Sequence, residues 1–113
     1  MIIPNNLRIN GMEYTINNPD SLDDGTSVLY GNVSYSNCEI NINDKNQCYQ
    51  HKCVTLWHEI AHVILHNAGI ELEQENLEKI CDAFGYGIYQ ILQDNVLSMY
   101  NVNTNHEESG GNG

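Results

Sequence analysis

The stretch "TLWHEIAHVILHNAG", residues 55–69, sets three histidines and a glutamate into an otherwise apolar run. A helix that only fills a core has no use for His58, Glu59, His62 and His66. At about 100° per residue, four residues advance one turn plus roughly 40°, so His58 and His62 project from one side, about 6 Å apart along the axis. Two imidazoles so placed can converge on one zinc ion at Zn–N distances of about 2.0–2.1 Å. Glu59 lies too far round to be a comfortable third ligand. It reaches instead the outer side of the metal, where a water would sit. Zinc lowers the pKa of such a water to about 7, and a neighbouring carboxylate can take its proton. "HEIAH" therefore has the zinc-hydrolase arrangement H-E-x-x-H, with Glu59 as general base. Val54, Trp57, Ile60, Ala61, Ile64 and Leu65 form the apolar stripe of this helix, with His58 and His62 on its edge.

A zinc site needs a third ligand. His66 is near in sequence but lies about 12 Å along the axis from His58, so the two cannot share a metal. The metzincin spacing would need a histidine at position 68, which is Ala68. His66 is therefore read as a surface or cleft-edge residue. "ENLEKICDAFG", residues 75–85, offers Glu78 and Asp82, four apart on one flank of a second helix. If the two apolar stripes pack together, the flanks meet. Glu78 then completes a His-His-Glu set with one position open for water, and Glu75 is its rival. Asp82 accepts the free imidazole N–H of His58 or His62 and fixes the tautomer.

Outward from these helices the period changes. "LRINGMEYTI", residues 7–16, alternates about Asn10-Gly11, the dipeptide suited to a two-residue hairpin turn. Residues 17–26 read as loop. "LYGNVSY" (29–35) and "EININ" (39–43) form a second strand pair, with Ile40 and Ile42 on one face. The first helix is expected from about Asp44 or Asn46 to Asn67, with Gly69 ending it. The second runs from about Glu71 to Asp94, with Leu77, Ile80, Cys81, Phe84, Ile88, Ile91 and Leu92 as its apolar positions. Residues 96–102 are a short strand or a packed extension. The fold class is α+β: a small antiparallel sheet of hairpins packed on the H-E-x-x-H helix and the glutamate-bearing helix. One domain spans residues 1–102, and 103–113 form a flexible polar tail.

The 113 residues suit one modest core. Fifteen acidic and four basic side chains give a net charge of −11, which disfavours direct contact with nucleic acid. No run reaches the roughly 20 apolar residues of a membrane span, and "MIIPNNLRING" lacks the features of a signal peptide. Cys38, Cys48, Cys53 and Cys81 match no Cys-x-x-Cys pattern and are read as reduced, buried side chains of a cytoplasmic protein.

"HEIAHVILH", followed by Glu78, Asp82 and Phe84, resembles the ImmA/IrrE family of zinc metallopeptidases, a gluzincin-like group common in phages and mobile elements. The resemblance covers roughly residues 28–92. It implies His58, His62 and Glu78 as ligands of one zinc per chain, Glu59 as general base, and a bacterial host cytoplasm. The chain departs from the family in carrying Cys81 and Gly85 around the second-helix glutamate. Characterised relatives cleave helix-turn-helix repressors, so the implied activity is endopeptidase action on a specific protein, such as a transcriptional repressor of a phage or mobile element. The substrate is expected along the exposed edge of the 39–43 strand. Tyr86 and Tyr89 are read as packing and surface. The other reading is a zinc-containing binding module, an inhibitor or antirepressor that sequesters a host or phage protein uncleaved. Glu59 separates the two, because a structural metal has no need of a general base.

Overall fold

A computed structural model describes residues 1–100 of the chain; the 103–113 tail lies outside the described residues. Four strands precede two helices: β1 (Asn6–Ile9), β2 (Met12–Asn17), β3 (Gly31–Ser34), β4 (Glu39–Ile42), α1 (Tyr49–Asn67) and α2 (Gln74–Tyr100). The class is α+β. Asn10 and Gly11 turn β1 into β2 with φ of 51° and 84°, pairing Ile9 with Met12 as a two-residue turn requires.

The sheet is mixed rather than antiparallel. Its order is β1-β2-β4-β3, and β2 runs parallel to β4. The β3–β4 hairpin inserts its second strand beside β2, which leaves β3 as the outer strand. Residues 39–43 are therefore central, and the free edge expected there belongs to β3. The physical reason is burial. Ile40 and Ile42 are fully buried, worth about 1.5–3 kcal/mol each, and a central strand shields such residues best. On the opposite face, amides cross three strands: Asn17 Nδ2 donates to Asn41 Oδ1, and Asn41 Nδ2 donates to Asn32 Oδ1.

Leu56, Ile60 and Val63 of α1 pack with Ile9, Tyr14, Ile16, Ile40 and Ile42 in one core cluster. The helix begins later than expected because buried Asn43 diverts the chain. Its side-chain oxygen accepts from the N–H groups of Lys45 and Asn46, forming a turn in place of a first helical turn. Gly69, at φ 73°, ends α1 in a Schellman motif: its N–H goes to His66 O and that of Ile70 to Leu65 O.

Helix α2 runs on to Tyr100, so residues 96–100 are helix rather than strand; residues 101–102 lie outside the described residues. Among the described elements α2 packs against α1 alone. With one neighbour it buries a narrow face centred on Cys81 and Gly85, and Ile80, Phe84 and Ile91 of the expected stripe stay exposed. Cys53 and Cys81 are buried, whereas Cys38 is half-buried and Cys48 exposed; all four thiols are free. No described helix is long and apolar enough to cross a membrane.

Candidate metal centre

Helix α1 presents His58, Glu59 and His62 to a cleft bounded by β3 and by Gln74, Glu78, Asp82 and Tyr86 of α2, about 570 Å³ in volume. The helices approach closely at Gly85, where a Cβ would stand 2.8 Å from Val54 O and 3.2 Å from His58 N. That approach brings the carboxylates of α2 to the imidazoles of α1.

Three donor atoms converge. His58 Nε2 lies 3.2 Å from His62 Nε2 and 3.1 Å from Glu78 Oε1, and His62 Nε2 lies 3.0 Å from Glu78 Oε2. A four-coordinate zinc with bonds of about 2.0–2.1 Å sets its donors about 3.3 Å apart, close to each of these separations, and one donor atom from each residue lies within 4.8 Å of the other two. The chemistry of the donors agrees. Asp82 Oδ1 lies 2.8 Å from His58 Nδ1. In the neutral ring, a hydrogen on Nδ1 toward Asp82 leaves Nε2 to offer its lone pair toward Glu78. Lone pairs facing one another at this range require a cation or a proton between them. Burial holds the His62 imidazole below its ordinary pKa, against the upward pull of Glu78, which favours the neutral, ligating ring. Glu78 is steadied by Gln74, whose Nε2 donates to its Oε2 at 3.1 Å.

The rivals lie elsewhere. Glu75 is 80% exposed and pairs with Lys79. His66 stacks on Tyr35, with centroids 3.8 Å apart and planes 11° from parallel. Burial pushes the Cys81 thiol up to about 12, reinforced by the carboxylates of Glu78, Glu59 and Asp82, so it stays protonated and is no thiolate ligand. Tyr86 lines the cleft.

Glu59 is 6% exposed and, among the described residues, its carboxyl has no hydrogen-bond partner. Burial, then the charges of Glu78 and Asp82, push its pKa up to about 8. Gly31 makes room for it: a Cβ there would meet Glu59 Oε2 at 3.0 Å and Thr55 Cγ2 at 2.7 Å. Tyr35, at the end of β3, also lines the cleft, and burial followed by the Glu59 charge keeps its phenol protonated. Gly31, Gly85, Gln74 and Tyr35 carry no local motif. The "YGN" and "FGY" glycines were the available signal, but only packing tells what a missing Cβ allows.

Protein-family models, curated proteins and solved structures were each compared with the chain, and none matches it, so the family resemblance rests on the residues that carry it.

Proposed function

We propose that the chain is a zinc-dependent endopeptidase acting on a specific protein, with a helix-turn-helix repressor as the substrate class its family resemblance implies. The observation that carries this reading is Glu59, a buried carboxyl without a partner in the same cleft as three convergent metal donors. His58, His62 and Glu78 would hold the ion, and Asp82 would keep His58 in its ligating tautomer. When bound, zinc supplies Lewis-acid polarisation of the scissile carbonyl and acidifies water. A bound cation would offset the charges of Glu78 and Asp82 and favour ionised Glu59, which takes the proton of the attacking water and passes it to the departing amine nitrogen, balancing the hydrolysis. Tyr35, held as a phenol whose O–H points to His62 O at 3.5 Å, lines the same cleft and would have to turn that donor from the carbonyl to meet a developing oxyanion. The free edge of β3 borders the cleft and suits an extended substrate added as a further strand.

The test is Glu59→Gln. The amide is nearly isosteric, so fold and zinc content should persist, while cleavage falls by about 10²–10⁴-fold with loss of the base. Cleavage of candidate repressors and release of repression are followed together. A zinc-loaded Glu59→Gln chain with full biological activity would instead make the protein a binding module.

A further inference from the structure

Seven residues before His58, on the same face of α1, stands His51, which also lines the cleft. Seven residues make about two turns, or about 10 Å along the axis. His51 is therefore too far from the metal donors to serve the reacting atoms. Its surroundings are nonetheless built. Gln47 Nε2 donates to Tyr30 O at 3.0 Å and Asn43 O at 2.9 Å, so the orientation of its amide is settled. Gln47 Oε1 then receives Thr55 Oγ1–H at 2.8 Å and the His51 Nδ1–H. In the neutral ring this leaves His51 Nε2 as an acceptor.

Two phenols flank the imidazole. The Tyr30 ring lies 4.6 Å from it at 68°, and the Tyr86 ring 6.3 Å from it at 61°. Tyr30 and Tyr86 are 55% and 56% exposed, so both rings are open to a ligand. The described residues lining the cleft include Glu59, Glu78 and Asp82 and no lysine or arginine, in a chain of net charge −11. Exposed ring faces and a nitrogen acceptor, in a cleft lined by no basic side chain among the described residues, together favour a cation. An acidic side chain would be repelled by the net charge, and a phenylalanine would leave His51 Nε2 without a donor.

We propose that Tyr30, His51 and Tyr86 form a specificity subsite that takes a lysine or arginine side chain of the protein substrate. An extended peptide advances about 3.3 Å per residue, so a distance of about 10 Å places this side chain about three residues from the scissile bond. The proposal rests on the peptidase reading and adds a substrate class to it.

The test uses the zinc-loaded full chain and a peptide library produced by cutting a proteome after glutamate, which leaves lysine and arginine internal. Cleaved peptides should be enriched in lysine or arginine at one position, about three residues from the cut. In matched synthetic peptides, the kcat/KM preference for arginine over leucine at that position should fall about tenfold in Tyr86→Ala. Tyr86→Phe, which retains the ring, should keep the preference. Zinc content reports that each variant is folded. Enrichment of aromatic or acidic residues, or no enrichment, would overturn the subsite while leaving the peptidase intact. If wild type cleaves nothing, the peptidase reading fails and binding decides: the same library is passed over immobilised zinc-loaded chain. Retention of basic peptides by wild type and their loss from Tyr86→Ala uphold the subsite, and unselective or absent retention overturns it.

Discussion

His58 Nδ1 and Asp82 Oδ1 lie 2.8 Å apart, joining α1 to α2 by a contact that also sets which imidazole nitrogen faces Glu78. This close polar contact ties helix packing to the geometry of the proposed metal site. Replacing Asp82 by alanine frees the His58 ring and should weaken zinc binding about 10–100-fold. Asp82→Asn retains an acceptor oxygen and should recover most of the loss. Competition with a chromophoric chelator measures both, and equal affinity in wild type and Asp82→Ala would refute the coupling.

Glu78→Ala should weaken zinc binding far more than Glu75→Ala or His66→Ala. Glu78 brings both carboxylate oxygens to the histidines. Glu75 has only an exposed pair with Lys79 to lose, and His66 only its stack on Tyr35. Metal analysis of the three purified variants checks this. Release of zinc by His66→Ala but not by Glu78→Ala would mean the ligand set is wrong.

Gly85→Ala should both destabilise the fold and loosen the metal. The added Cβ would press on Val54 O at 2.8 Å and on His58 N and Cβ at 3.2 and 3.3 Å, an overpacking cost of about 1–3 kcal/mol. Separating the helices also withdraws Glu78 and Asp82. Gly87 is the control, since nothing lies within 4 Å of a Cβ there, and Gly87→Ala should gain about 0.5–1 kcal/mol from helix propensity. Thermal unfolding of the metal-free and zinc-loaded variants reads both effects, and an unchanged Gly85→Ala would contradict the close approach.

Asp24 should give the 23–28 loop a distinctive acid limit. Its Oδ1 accepts from the Thr26 hydroxyl and from the N–H groups of Thr26 and Ser27, which lower its pKa to about 2. The folded value lies below the unfolded value of about 3.9. The stabilisation is therefore fully present above the unfolded value and is lost as pH falls through about 2. A carboxyl titration by NMR should find the low value, and Asp24→Ala should remove this part of the pH dependence. A midpoint near 4 would contradict the turn.

The sequence by itself determined what nearest neighbours along the chain determine. Four-residue spacing put His58 with His62, and Glu78 with Asp82, on common faces, because helix geometry is local. Asn10-Gly11 specified a two-residue turn by its positive φ angles, and the alternation of Ile40 and Ile42 chose the inner face of a strand. Periodicity, however, states which side of an element is buried and not what buries it. Only the tertiary structure decided that β4 lies between β2 and β3, and that α2 turns Cys81 and Gly85 toward α1 while Ile80 and Phe84 face outward. The same packing paired Asp82 with His58 and chose Glu78 over Glu75. Tyr30, His51 and Tyr86 were joined in the same way, from the segment before β3 and from two helices. Each of these outcomes depends on the separation of backbones remote in sequence, and that separation follows from packing that no local pattern encodes.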